Sequence, residues 1–217
     1  MKRKHILALC ALSLCMLIVG TILGGYLPRM FTTLSCLMAV MAWGTAHCRR
    51  RDTLTCSMAV VFSLAGDAVL AHIGGTDNGF LVGVALFFIA HLFYTSFFLM
   101  HGKIQPWVLL FSGGAVLTYV LGWLLPAIPF VSIRSAITAY ALVSVLSFSA
   151  ACGMSKLGGW GQALCILGIS CLLFSDILIA QRKFLGSDAG YCLMLPAYFL
   201  SHIIISFAFV MYMPTKR

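Results

Sequence analysis

Glutamate is absent from this chain of 217 residues, and its five acidic residues are all aspartates. Charged residues make up only 9% of the sequence, whereas 62% is hydrophobic and the mean hydropathy is +1.05. This composition cannot cover a water-soluble domain, so we predict an all-α polytopic membrane protein. The net charge is +9, but the basic residues lie near the ends of the hydrophobic segments. They are expected to face lipid headgroups, and no nucleic acid is expected as a partner.

Several motifs that would indicate a cofactor or another kind of catalysis are also missing. The nine cysteines form no Cys-x-x-Cys pair, which leaves little basis for a zinc cluster or a disulfide framework. The chain has no Gly-x-Ser-x-Gly element for serine catalysis. It also has no phosphate-binding glycine loop and no dinucleotide fingerprint. These patterns predict no cofactor.

Eight hydrophobic segments are each close to the length of about 20 residues that a helix needs to cross a bilayer. They span 6–26, 31–47, 54–73, 80–100, 107–125, 129–151, 160–180 and 190–212. The connections are short and contain turn residues, so we predict a single membrane domain over residues 1–217. Both termini are predicted to be cytoplasmic, because that orientation places ten Lys and Arg residues inside and four outside. In a bacterium the protein would lie in the cytoplasmic membrane.

Two aspartates lie within these segments, 109 residues apart. Asp67 follows a glycine in the third segment, and Asp176 follows a serine in the seventh. The next segment of each half carries a histidine, His91 or His202. This correspondence predicts a 4+4 internal repeat of parallel halves, with a site at the interface between them.

The two aspartates are the strongest candidates for functional residues, because a carboxylate in hydrocarbon costs about 2.5–3.5 kcal/mol. Two neighbouring carboxylates in a low-dielectric site do not both ionise readily, so one acts as an acid and the other as a base. Such a pair suits acid-catalysed hydrolysis of a labile C–O bond. His91 is expected to join them, and Tyr94, one helical turn further on, either orients His91 or packs against it.

Three other hypotheses fit the same residues. The two aspartates and two histidines are residue types that bind zinc. Intramembrane aspartate and histidine also form proton relays, which makes a proton- or cation-coupled transporter the main alternative to a hydrolase. A lipid-binding or scaffold protein without catalytic activity is the third hypothesis.

Four stretches of the sequence resemble the YhhN/lysoplasmalogenase family of eight-helix membrane proteins. They are 65–70 (Ala-Gly-Asp-Ala-Val-Leu), 83–94 (ending Ala-His-Leu-Phe-Tyr), 174–180 together with Lys183-Phe184, and 198–202 (Tyr-Phe-Leu-Ser-His). The resemblance covers roughly residues 25–210. The chain departs from the family at Arg29-Met30, where Lys-Pro is usual, and at His202, where Gln is usual.

The resemblance implies hydrolysis of the vinyl-ether bond of lysoplasmalogens to a fatty aldehyde and glycerophosphocholine or glycerophosphoethanolamine. Protonation at carbon would give an oxocarbenium ion, which water would then attack, and no metal is required. One protonated aspartate would supply the proton, and the other would stabilise the cation. His91 and Tyr94 would position water or tune the acid. The implied partners are a lysophospholipid substrate and the surrounding membrane lipid.

Five further residues are predicted to bind the substrate: Arg29, Tyr140, Lys183, Tyr198 and His202. In the predicted topology the phosphate of a lysolipid lies at the outer interface, near basic residues such as Arg29 and Lys183. Its vinyl ether lies a few bonds deeper, level with the aspartates. For Tyr140 and Tyr198, packing is the alternative to a role in the site.

Overall fold

The computed structural model describes residues 26–213 and five positions before them, 8, 11, 12, 15 and 18. Within residues 26–213 the chain forms seven α-helices and no strand. They are α1 (Tyr26–His47), α2 (Arg50–Ile73), α3 (Asp77–Met100), α4 (Pro106–Tyr119), α5 (Val131–Cys152), α6 (Gly158–Leu185) and α7 (Tyr191–Tyr212). The predicted first segment, 6–26, lies almost wholly outside the described residues.

The all-α fold is confirmed for the described part of the chain. Six helical segments in it are long and apolar enough to cross a membrane, when α4 is counted together with the turns that follow it to Ala127, so this is a multi-pass membrane protein. Helix α1 forms over the predicted second segment, but it is not one of these six. The eight spans, the 4+4 repeat and the orientation of the termini are therefore not confirmed and stay predictions.

Three helices differ from their predicted bounds by five residues or more, and one of them, α1, begins at Tyr26 rather than at residue 31. Helix α6 continues to Leu185 rather than ending at residue 180, and Gly186 then ends it in the left-handed region, at φ 61°. Its polar last turn is helical although it is not hydrophobic, so hydropathy alone ends the helix too early. Helix α4 ends at Tyr119 and is followed by a π-helical turn, Val120–Leu124, and a 3-10 turn that contains Pro126.

The helices pack as two close hairpins, α2 with α3 and α6 with α7. Helix α1 packs on α2 and α7, while α5 packs on α3, α4 and α6. Small residues permit the close approach: a Cβ atom on Gly66 of α2 would lie 3.0 Å from the Phe87 ring of α3. The two helices that carry the aspartates, α2 and α6, do not pack closely on each other, and a cavity lies between them.

Polar contacts mark the two ends of the bundle. At one end, Lys183 Nζ lies 3.4 Å from Gly74 O and 4.0 Å from Asp77 Oδ1, which joins α6 to the α2–α3 connection. At the opposite end, His101 Nε2 lies 3.1 Å from Asp52 Oδ1 and joins the end of α3 to the start of α2. We call these the Lys183 end and the His101 end.

Candidate functional site

Asp67 and Asp176 lie at the same level of the bundle. Asp67 is seven residues before Gly74, and Asp176 is seven residues before Lys183. Gly74 and Lys183 contact each other, and α2 and α6 both run towards that contact. Seven helical residues place each aspartate about 10 Å below it. Gly74 and Lys183 are 109 residues apart, as are Asp67 and Asp176, so residues with this spacing lie at the same level on the two helices.

The carboxylate of Asp176 joins three helices. Tyr140 of α5 donates a hydrogen bond of 2.6 Å to Asp176 Oδ2. His91 Nε2 of α3 lies 3.5 Å from the same oxygen, which is within ion-pair range but longer than a hydrogen bond. The side chain of Asp176 is only 11% exposed. A phenol and an imidazole thus both contact the same oxygen of this carboxylate, Oδ2.

His91 is itself held by two hydroxyl groups. Its Nδ1 lies 3.1 Å from Ser147 Oγ, and Ser147 Oγ lies 2.7 Å from Thr95 Oγ1. Thr95 donates to the carbonyl of His91, and Ser147 is within 3.1 Å of two backbone carbonyls. When Ser147 directs its proton to one of these carbonyls, Nδ1 is the donor of the ring. The lone pair of Nε2 then faces Asp176 Oδ2, 3.5 Å away.

Asp67 lies in the wall of the cavity between α2, α6 and α7, which has a volume of about 620 Å³ and which we call the Asp67 cavity. Arg182 and Lys183 line the same cavity, nearer the Lys183 end. Arg182 Nε lies 3.3 Å from Asp188 Oδ1, and its guanidinium carbon is 3.5 Å from the centre of the Tyr191 ring. This cavity therefore combines a carboxylate at depth with two oriented cations nearer the end of the bundle, an arrangement suited to an anionic group.

Two more cavities adjoin the carboxylate of Asp176. The smaller, which we call the neck, has a volume of about 50 Å³; Asp176 and Tyr140 line it, and it shares Ile179 with the Asp67 cavity. The larger, which we call the α4–α6 cleft, has a volume of about 260 Å³ and also has Asp176 and Tyr140 in its wall. Asp176 thus lies between the Asp67 cavity and a second cavity on the other side of α6.

Comparison with known proteins gives one result for this architecture. The sequence profile of the YhhN family matches residues 26–209. This chain belongs to the YhhN family. Searches of curated proteins and of solved structures return no match. The matched region includes α1 to α6 in full and α7 up to residue 209, so the family assignment covers the helices around the two aspartates.

In this YhhN family member, five of the nine predicted site residues lie at or beside the cavities. Asp67 and Lys183 line the Asp67 cavity, and Asp176 and Tyr140 line the neck and the α4–α6 cleft. His91 is fully buried behind Asp176. Arg29 belongs to α1, but its side chain is outside the described residues. The contributions of all these residues to catalysis or binding stay predictions.

Tyr94, Tyr198 and His202 lie in the protein interior and line none of these cavities. Each is at most 2% exposed. Tyr198 donates to Ser63 O at 3.0 Å, and the His202 ring lies 4.7 Å from the Tyr198 ring and 6.5 Å from the Tyr94 ring. Their contacts connect α2, α3 and α7. These contacts do not indicate a role in catalysis or substrate binding, and such a role stays a prediction.

The correspondence between the two halves predicts a shared site with one aspartate and one histidine from each half, but only part of that arrangement is observed. His91 accompanies Asp176, whereas His202 belongs to the interior cluster with Tyr94 and Tyr198. Among the described residues, no group of three or more His, Cys or Asp side chains is placed to hold a metal ion. The ligand arrangement that the zinc hypothesis needs is therefore not formed by these four residues.

Sequence reasoning missed the hydroxyl groups that hold His91. The contact with Thr95 could have been predicted, because a residue four positions after His91 lies on the same side of a helix. Ser147 has none, because it is 56 residues away and meets His91 only through the packing of α5 on α3. Arg182 contacts Asp188 and Tyr191, and sequence reasoning did not find these contacts either, because they depend on how the chain turns between α6 and α7.

Proposed function

We propose that this protein is an intramembrane hydrolase that cleaves the vinyl-ether bond of lysoplasmalogens. The products would be a fatty aldehyde and a glycerophospho-alcohol such as glycerophosphocholine or glycerophosphoethanolamine. The observation that carries the proposal is the pair of carboxylates, Asp67 and Asp176, which lie level with each other in the walls of adjoining cavities. Membership of the YhhN family supports the same class of reaction.

The reaction consumes one water molecule and needs one acid and one base. A proton adds to the carbon of the double bond that is remote from oxygen, and the electron pair of the double bond forms the new C–H bond. Water then attacks the carbon of the resulting oxocarbenium ion and loses a proton. The hydroxyl group of the resulting hemiacetal loses its proton and forms the C=O bond of the aldehyde, while the C–O bond to the glycerol breaks and a proton passes to the departing alcohol. A protonated aspartate would supply the first proton, and an ionised aspartate would stabilise the cation and accept the proton of water.

The groups around Asp176 fit this chemistry. Tyr140 occupies Oδ2 and so leaves Oδ1 to face the substrate. His91 lies close enough to the carboxyl group to exchange a proton with it between turnovers. The Asp67 cavity, with its larger volume, would hold the headgroup side of the substrate and the attacking water.

The continuity of the helices supports hydrolysis rather than transport. Transporters commonly bind their substrate where a membrane helix is broken near the midplane. Helices α2 and α6 are continuous through Asp67 and Asp176, and α7 is continuous through Pro196. An enzyme needs no such break, because its carboxylates act from fixed positions.

The test is aldehyde release by the purified protein in detergent from a 1-alkenyl lysophospholipid, with and without a chelator. We expect release that survives the chelator and falls at least about 100-fold in both Asp67→Asn and Asp176→Asn. Ser96→Ala, which changes an exposed hydroxyl bonded to its own helix, is the matched control and should retain full activity. No aldehyde from well-folded wild type, or unchanged release by both Asn variants, would refute the proposal, and loss with the chelator would indicate a metal-dependent reaction.

A further inference from the structure

We propose that the α4–α6 cleft binds the hydrocarbon chain of the substrate. A lysolipid would then lie with its phosphate at Arg182 and Lys183, its reacting bond at the neck, and its chain beyond Asp176. This inference rests on the proposed function and adds to it the location of the chain and the direction in which the substrate lies.

The wall of the cleft has the chemistry of a chain-binding site. It is formed by α4, the π-helical turn, α5 and α6, and most of its lining is aliphatic, for example Val116, Leu173 and Ile177. Its polar groups are Asp176 and Tyr140, which are bonded to each other, and the hydroxyl groups of Tyr119 and Ser144, which have no hydrogen-bond partner in the described part of the chain. A hydrocarbon chain would fill this space without leaving a polar group of its own unsatisfied.

The cleft continues along α6 away from the cations. A further cavity of about 240 Å³ shares Val116, Leu173 and Ile177 with it. The two serines in its wall, Ser112 and Ser170, direct their hydroxyl protons to carbonyls of their own helices. Together the two cavities follow α6 from residue 180 to residue 170, which is about 15 Å of helix.

This direction matches the polarity of a single-chain amphiphile in a bilayer. The cations lie towards the Lys183 end, whereas the apolar groove follows α6 from Ala180, past Asp176, to Ser170 in the direction of the His101 end. A lysolipid has the same order, with its phosphate at the interface and its chain in the hydrocarbon. The neck, at about 50 Å³, is the smallest of these four cavities.

The π-helical turn explains how such a groove forms. Helix α4 packs on α5, and it is the turn Val120–Leu124 that contacts α6. Val120 and Leu124 are buried in that contact and close the groove at the Lys183 end. Between the turn and the His101 end, α4 and α6 do not pack closely, so the hydrocarbon chain can enter from the surrounding lipid. Irregular π turns of this kind are frequent at functional sites.

The orientation also separates the two carboxylates by role. The carbon that receives the proton belongs to the chain side of the vinyl ether, and Asp176 lies where the cleft meets the neck. The departing alcohol belongs to the headgroup side, which is the Asp67 cavity. Asp176 is therefore the proton donor to carbon, and Asp67 acts on the water and the cation.

The first test fills the cleft and varies the chain. Ala141→Phe adds a ring within the cleft, and Leu142→Phe is the matched control on the next position of α5, which is 50% exposed. The measurement is kcat/KM for 1-alkenyl lysophospholipids from octenyl to octadecenyl. We expect Ala141→Phe to lower kcat/KM about tenfold or more for the longest chain and less than about twofold for the shortest, with no change in Leu142→Phe. Equal losses at all chain lengths, or none, would overturn the proposal.

The second test does not depend on cleavage. A 1-alkyl lysophospholipid with a diazirine at the end of its chain is crosslinked to the wild-type protein, and the labelled peptides are mapped. Labels on α4 and α6 beside Val116 and Leu173, displaced by unlabelled lysophospholipid but not by diacyl phospholipid, are expected. Labels on exposed faces such as Leu92 of α3, or equal displacement by diacyl lipid, would overturn the chain site. Specific labels without aldehyde release would instead leave the chain site standing and refute the proposed reaction.

Discussion

Asp67 and Asp176 occupy matching positions on two helices that run in the same direction, yet their surroundings differ. Asp176 is held by Tyr140 and His91 at the head of an apolar cleft. Asp67 faces a larger cavity that it shares with Arg182 and Lys183. One carboxylate is thus placed in the wall of an apolar cleft and the other in a cavity with two cations.

The difference shows that a similar local sequence does not imply a similar role. The small residue before each aspartate contacts a neighbouring helix: Gly66 leaves space for the ring of Phe87, and Ser175 donates a hydrogen bond to Met194 O of α7. These contacts set the depth of each carboxylate. What each carboxylate then does depends on the helices that pack beside it.

The largest expected effect comes from combining the two substitutions at the carboxylates. If Asp67 and Asp176 act on one substrate, each Asn variant lowers kcat by about 10²–10⁴-fold, and the double variant is little worse than the weaker single variant. The measurement is a double-mutant cycle on aldehyde release, with thermal unfolding to confirm folding. Losses that multiply in the double variant would instead mean that the two carboxylates work independently.

A smaller effect is expected when only the support of Asp176 is removed. Tyr140→Phe deletes the 2.6 Å hydrogen bond to Oδ2. Asp176 becomes charged as it gives its proton to the substrate, and a hydrogen bond to a charged group contributes about 1.5–3 kcal/mol. We expect kcat to fall about 10- to 100-fold with little change in KM. Tyr119→Phe is the control, because this hydroxyl group also lines the cleft but makes no hydrogen bond among the described residues. Equal effects of the two substitutions would contradict a specific role for Tyr140.

The smallest effect is expected at the cations of the Asp67 cavity. Lys183→Gln removes a partly exposed charge, and such charges contribute about 1 kcal/mol or less. We expect KM for the lysolipid to rise about three- to fivefold, kcat to change less than twofold, and the difference to shrink as salt is added. Lys103→Gln, an exposed lysine beyond the His101 end of α3, should change neither constant. A fall in kcat with KM unchanged would show that Lys183 acts on the reaction itself.

Hydropathy predicted the helices of the described chain well, because burial in lipid requires long apolar helices whatever their packing. It ended α6 five residues early, since Gln181, Arg182 and Lys183 are helical but polar. The same reasoning found Asp67, His91 and Asp176 because ionisable residues are costly and rare inside such helices. It did not separate His202 from His91, because both follow an aspartate by similar distances along the chain.

Ser147, the neck and the α4–α6 cleft were beyond prediction from the sequence. Ser147 resembles the other serines of α5, and its bond to His91 depends on the rotation of α5 against α3. The cleft depends on a π-helical turn, and the hydropathy pattern does not distinguish this turn from a continuous membrane-spanning helix.

The sequence by itself therefore determined that this is a helical membrane protein of the YhhN family with two carboxylates at one level of the bundle. This was possible because hydrophobicity and the cost of intramembrane charge act residue by residue. Only the tertiary structure decided that the carboxylates adjoin different cavities, that Tyr140 and His91 support just one of them, and that an apolar groove begins there. These features arise from contacts between helices distant in the chain, and the free energy of such contacts depends on shape and rotation that no local pattern encodes.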